Sequence, residues 1–412
     1  MISIFLAFII LGVGYFLTSK ISLLKKFSIP PSLTVSLIAL VFFTAIPSYQ
    51  QTQVYKDWKD WPGLIIAFIF AALFLESQPN SKKEQSSKEI IGEVSLIFIA
   101  ILGQMLVGIL LTYFLFKPFF QLPLAFASVL ENGFAGGHGT AVAMSQPYSD
   151  NGLKEGVDYA LFSATVGIVF GIAGGIFLVT KERKSRGGVV AEKEQRVTLG
   201  LSSLFISLGL IFTSVLVAIL VKAQFEKFFP QLPQITLFVY ALLVSVVLKN
   251  LLTLLKQDKI ISGDDMSFFS SFFMELLIFS AISTMNLNVI SNALIPLMIL
   301  FTLGFIWNLF VHFKLKDKFF PKEYSTEISL INFGMLNGTT AIGLMLLRMI
   351  DPELKSKGVK VYAQSAPFTS PVVGGGILTL ALPYLLTNNH PLLIALGLSI
   401  AMIVFYFVGK KK

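Results

Sequence analysis

The 412-residue chain is 55% hydrophobic and only 13% charged, with a mean hydropathy of +0.78. Soluble proteins carry roughly 25% charged residues, so this chain could not solvate a globule of its size; it reads as an all-α polytopic membrane protein. Its net charge of +9 does not point to nucleic acid, because the basic residues stand in short blocks between apolar runs, and with no cysteine there is no disulfide, thiolate or cysteine-ligated metal.

Apolar runs near the roughly 20 residues that cross a bilayer predict eleven spans. They fall at about 2–19, 30–47, 62–77, 91–115, 156–180, 199–222, 233–255, 268–286, 289–313, 358–387 and 391–408. The first, ISIFLAFIILGVGYFLTS, has no basic residue before it and is followed by Lys20, Lys25 and Lys26. It therefore reads as a retained helix with its N-terminus outside, not a cleaved leader. That orientation places 21 basic residues in inner loops and six in outer loops, a bias that sets topology. The C-terminus is then cytoplasmic. Two further apolar segments, about 122–147 and 326–350, are interrupted by Gly, Asn and Thr, and are expected to be re-entrant hairpins.

The chain also resembles itself. GVDYALFSATVGIVFGIAGGI from Gly156 and GVKVYAQSAPFTSPVVGGGI from Gly358 share their start, their Tyr-Ala and Ser-Ala steps, and their Gly-Gly-Ile end. Upstream, HGTAVAM from His138 matches NGTTAIGLM from Asn337. Two matches in the same order point to a duplication. With five spans in the first copy, the second must insert upside down, as in many secondary transporters. The expected organisation is a first repeat at 1–180, a basic cytoplasmic linker at 181–198, a second repeat at 199–387, and an extra helix with a basic tail at 388–412.

The stretch ENGFAGGHGTAVAM from Glu131 is the richest in polar chemistry. Gly136, Gly137 and Gly139 let a ligand approach the backbone closely. Exposed N–H groups at a helix start suit a carboxylate. Carbonyl oxygens, with the Thr140 hydroxyl and the Asn132 amide, suit a hard cation such as Na⁺. The second tip offers Asn337, Gly338, Thr339 and Thr340, so Thr140 and Thr339 stand as matched candidates for the ion. The bland reading of both tips is close helix packing by small residues.

These residues also carry a family likeness. GGHGTAVAM, ATVGIVFGIAGG, KERKSRGG, IPPSLTVSLI and GQMLVGILL resemble the bacterial sodium:glutamate symporter family, in order and most densely around residues 131–188. The resemblance implies an inner-membrane, homodimeric carrier of a small anionic amino acid driven by Na⁺, with no other cofactor. It also implies two inverted five-helix repeats with re-entrant loops. The second half departs from the family pattern: its tip reads NGTTAIGLMLLRMIDPE, and the next helix, PVVGGGILTLALP, lacks the acidic residue usual there.

Other polar residues are weighed against structural roles. Glu131 and Glu275, in SFFMELLIFSA, are candidates for ion coupling, since carboxylates within membranes are costly and usually functional. Gln104 and Asn308 either line the cavity or make interhelical hydrogen bonds. His138 either gates the site or is a satisfied core histidine. Arg348 either meets a substrate carboxylate or marks the cytoplasmic end of the second hairpin. His312 and His390 read as interfacial. No nucleophile–base pair or metal cluster suggests an enzyme; a channel would also use carbonyl-lined loops, but could not concentrate its substrate. The nearest alternative is a Na⁺- or H⁺-coupled transporter of a hydroxy acid or dicarboxylate.

Overall fold

A computed structural model describes residues 2–21, 31–75, 87–186, 200–228, 237–257, 260–338, 340–351, 356–369 and 371–411. Among the described residues the secondary structure is entirely helical. In chain order the helices are α1 (Ile2–Lys20), α2 (Pro31–Ala45), α3 (Gln53–Leu75), α4 (Ser87–Leu111), α5 (Val129–Phe134), α6 (Gly137–Ala143), α7 (Ser145–Asp150) and α8 (Gly156–Arg186). They continue with α9 (Leu201–Phe228), α10 (Leu237–Leu254), α11 (Gly263–Ser283), α12 (Leu294–Phe310), α13 (Ser325–Asn337) and α14 (Thr340–Arg348). The last three are α15 (Lys357–Thr369), α16 (Ile377–Asn388) and α17 (Pro391–Gly409).

Nine helices among the described residues are long and apolar enough to cross a bilayer. The expected eleven spans need two corrections. The span expected at 30–47 is the 15-residue α2, and that expected at 358–387 is two short helices, α15 and α16. Pro371 and three successive glycines break the latter: Gly374 has φ +65° and Gly375 φ +105°, which a continuing helix cannot accommodate. The basic linker expected at 181–198 begins inside α8; residues 187–198 lie outside the described residues.

The helices sort into two compact units, each drawing on both halves of the chain. The first comprises Met1–Ser81 and Gln195–Met285, and the second Lys82–Glu194 and Asn286–Lys412.

In the first unit α3 packs on α10 and α11, and α11 on α2. Trp58 anchors it: the indole lies edge-on to Phe279 at 4.8 Å, and its N–H donates to Ser3 O at 3.0 Å. Asp265, near the start of α11, accepts hydrogen bonds from Ser203 and Ser207 of α9. These are the polar contacts that hold helices together where lipid offers no hydrophobic drive. Large apolar residues on the outer faces, such as Phe5, Phe16 and Phe205, are exposed, as a bilayer requires.

In the second unit two long helices behave alike. After α4 comes a π turn at Thr112–Phe116, a one-turn helix at Lys117–Phe120, and the broken segment α5–α6–α7. After α12 comes a π turn at Val311–Leu315, a one-turn helix at Lys316–Phe319, and the broken pair α13–α14. The breaks fall in the two segments that glycine, asparagine and threonine interrupt. α8 runs beside both, and α17 packs along α4.

Candidate functional site

The first tip is made by a helix that stops and restarts. The N–H groups of Ala135 and Gly136 both donate to Glu131 O, at 3.0 and 2.9 Å, closing α5. The chain resumes at Gly137, whose φ of +69° lies in the left-handed region that favours glycine. A Cβ there would stand 3.3 Å from the Gly338 carbonyl oxygen. The two tips therefore meet at Gly137 and Gly338.

The second tip is held by buried amides. Gln104 Nε2 donates to Asn308 Oδ1 at 3.0 Å and to Leu336 O at 2.9 Å. Asn308 Nδ2 donates to Leu336 O at 3.2 Å and to Asn337 Oδ1 at 2.9 Å. Asn337 Nδ2 turns back to Phe333 O at 2.7 Å. A helix end buried in the protein interior needs such partners for its carbonyls. Gln104 and Asn308 thus position the tip, and Asn337 is part of its cap. α8 passes close by because it is bare at Gly167, where a Cβ would stand 2.4 Å from Asn337 O.

The break between α15 and α16 completes the arrangement. Glu131 Oε1 accepts from the Gly374 N–H at 3.1 Å and the Thr379 hydroxyl at 2.7 Å. The Gly375 N–H donates to Thr379 Oγ1 at 3.1 Å, and a Cβ on Gly375 would stand 2.5 Å from Thr140 Oγ1. Glu131, Thr140 and Thr379 are all buried. Beside them Asn132 donates to the Tyr148 hydroxyl at 2.6 Å. Glu131 Oε2 and Asn132 Oδ1 are buried with no hydrogen-bond partner. Two unsatisfied hard oxygens in a dry site are costly unless a cation or a proton meets them.

The other expected site residues fall out as follows. Gly136 is packed by Thr140, whose Cβ a side chain would meet at 2.5 Å, and Gly139 is buried within α6. His138 Nε2 lies 3.2 Å from Thr165 Oγ1, whose own proton goes to Leu161 O at 2.9 Å, so the imidazole N–H is the donor. Its Nε2 is thus paired within the fold. Thr340 Oγ1 lies 3.1 Å from the Tyr362 hydroxyl of α15. Thr339 lies outside the described residues, and Arg348 closes α14. Glu275 belongs to the first unit, where it accepts the Ser32 N–H at the start of α2 at 3.1 Å. His312 is buried, its Nδ1 2.8 Å from Ser329 Oγ; His390 caps α17.

Sequence reasoning missed Gly374, Gly375 and Thr379. The available signal was Pro371 followed by three glycines, hidden by treating the segment as one apolar span.

Comparison with known proteins gives a match to the sodium/glutamate symporter family over residues 1–345. A sodium/glutamate symporter of Haemophilus influenzae is 25% identical over 264 residues, which is 60% of this chain. The chain spans 63% of the length of that relative.

Proposed function

The chain belongs to the sodium/glutamate symporter family, and from that premise we propose that it is a secondary active transporter. It takes up glutamate or a similar small anionic amino acid together with Na⁺, by alternating access, as a homodimer in the inner membrane. The observation that carries this reading is the meeting of the two broken segments at Gly137 and Gly338, beside a buried carboxylate with an unsatisfied oxygen.

The two tips belong to inverted repeats. Their breaks set a register of 201 residues, which pairs Gly133 with Gly334, Gly137 with Gly338 and Met144 with Met345. This register replaces the pairing of His138 with Asn337, so that Thr340 corresponds to Gly139 and Thr140 to Ala341. The two ends of α4 support opposite entry of the hairpins. Near its start, Glu89 Oε1 accepts from Tyr324 at 2.8 Å and Lys357 at 2.6 Å, next to the base of α13. Beyond its other end, the Tyr113 ring lies tilted against His390 at 5.7 Å, and Asp150 at the base of the first hairpin accepts from Tyr384 at 2.7 Å.

In this reading Na⁺ is bound by Glu131, Asn132 and Thr140, and the substrate by the backbone where the tips meet. Bringing a cation and an anion into one low-dielectric site makes each favour the other, since their attraction offsets dehydration. That mutual dependence is the coupling, and linkage makes it reciprocal. Proteoliposome uptake of labelled glutamate, with competitors spanning amino acids, hydroxy acids and dicarboxylates, tests the substrate assignment. Competition by a hydroxy acid stronger than by aspartate would overturn it.

Topology is open to a clean test, because the chain has no cysteine. Gln50→Cys, in the short helix Pro47–Gln51, is expected to label from outside intact cells with an impermeant thiol reagent. Ser185→Cys, at the end of α8, is expected to label only after permeabilisation. The reverse pattern would invert the orientation and both hairpin directions.

A further inference from the structure

We propose that Glu93, together with Asn332, forms a second binding site for a coupling cation, Na⁺ or H⁺, distinct from the Glu131 site. The proposal rests on the coupled-transport reading. Glu93 lies on α4 and Asn332 on α13, and they are 0% and 3% exposed. Asn332 Nδ2 donates to Glu93 Oε2 at 3.1 Å. Glu93 Oε1 and Asn332 Oδ1 are both buried without a hydrogen-bond partner. Two helices thus bring a carboxylate oxygen and an amide oxygen into the interior and leave both unsatisfied.

A cross-helix amide is a poor reason to bury a carboxylate. An apolar pair of similar size would pack the same interface without the desolvation cost, and burying one unpaired charge is strongly unfavourable. Two lysines close to α4 are engaged with other carboxylates. Lys357 pairs with Glu89 at 2.6 Å, and Lys316 with Glu182 at 3.0 Å. A proton on the carboxyl, or a Na⁺ held by both free oxygens, meets the deficit.

The surroundings fit an ion site. Glu89 stands one helical turn before Glu93 and lines a surface cavity of about 630 Å³ with Glu323, Glu327, Asp351 and Lys357. Four carboxylates against one ammonium at this surface raise the local concentration of cations one turn from Glu93. Asn332 also rides on the helix that ends at Gly338, so occupancy of Glu93 is linked to the position of the second tip. In the 201-residue register Asn332 is the counterpart of Glu131, the residue that serves the first tip.

The test is the thermodynamic stoichiometry of Glu93→Gln. Glutamine keeps the shape and can still accept from Asn332, while losing the charge. In proteoliposomes, the membrane potential at which net glutamate flux reverses is measured under fixed ion gradients. The variant is expected to couple one cation fewer per substrate than the wild type. A structural role would slow both directions and leave the reversal point unchanged, and that result would overturn the proposal.

Infrared difference spectra of the purified protein keep the proposal testable if the variant does not transport. A site for H⁺ shows a protonated-carboxyl band that disappears as pH rises. A Na⁺ site instead shows carboxylate bands that shift when choline is replaced by sodium. The Glu131 contribution is common to both proteins and cancels in the wild-type-minus-Glu93→Gln difference, where one further carboxyl signal of either kind is expected to remain; identical responses in the two proteins would overturn the assignment. Asn332→Ala keeps the carboxylate and removes the second oxygen, so its stoichiometry should be normal and its cation affinity about tenfold weaker, roughly 1.4 kcal/mol. A wild type without gradient-driven uptake would instead refute the transport reading, leaving the infrared comparison to decide the cation site.

Discussion

Gly137→Val is expected to abolish uptake, with a loss of at least about 100-fold, while the protein still reaches the membrane in folded form. Gly137 has φ +69°, where a left-handed backbone costs an ordinary residue roughly 1–2 kcal/mol and a β-branched one more. Its Cβ would also press toward the Gly338 carbonyl at 3.3 Å, where the tips meet. Both effects act at the break and leave the long helices intact. The counterpart on the second tip should be more tolerant at small size. Gly338, with φ −174°, lies outside the left-handed region, and a Cβ there first meets Ile342 Cδ1 at 2.8 Å, the far end of a flexible side chain. Gly137→Ala should therefore lose about tenfold, which corresponds to roughly 1.4 kcal/mol. Gly338→Ala should stay within a few-fold of wild type, and only Gly338→Val should stop transport. Initial rates at matched surface expression check this order. Equal tolerance at both glycines would mean that the first tip's backbone is not part of the site.

The second large effect is expected at Glu131. In Glu131→Gln the amide oxygen can still accept from Gly374 and Thr379, so the latch between the first tip and the α15–α16 break survives. What is lost is the negative charge and the free Oε2. Hydrogen bonds and contacts to a charged group contribute roughly 1.5–3 kcal/mol, so apparent sodium affinity should fall about 10- to 100-fold. The double variant Glu131→Gln, Thr379→Asp moves the carboxylate across the 2.7 Å contact without removing it. It should recover much of the sodium affinity, which a residue of purely structural importance would not allow. Titration of uptake against sodium, at fixed ionic strength with choline, reads both results. An unchanged sodium curve in the single variant would remove Glu131 from the ion site.

Most of the architecture could be read from the sequence, for identifiable reasons. Spans such as α4, α9 and α17 are continuous apolar runs, and the bilayer demands little else of a helix. The two broken tips were visible because glycine, asparagine and threonine are conspicuous in such company. Less visible was what each polar residue does. Gln104, Asn308 and Asn337 satisfy one helix end, a role that depends on which carbonyls the fold leaves bare. Glu275 is a carboxylate within an apolar segment like Glu131, yet it caps α2 in the first unit. The acidic residue absent from PVVGGGILTLALP illustrates the limit best. A carboxylate does reach that helix, from Glu131, some 248 residues earlier in the chain. No local pattern announces such a contact, and only the fold brings the two together. Glu93 was overlooked for the same reason, since it lies near the polar start of an apolar run and looks interfacial until α13 covers it.

The central claim is tested most directly by uptake into proteoliposomes under imposed gradients. With an inward sodium gradient and no proton gradient, labelled glutamate should accumulate above its external concentration, and replacing external sodium with choline should abolish this. Adding a protonophore should leave the accumulation intact. Uptake that ignores the replacement of sodium by choline, but collapses with the protonophore, would contradict sodium coupling.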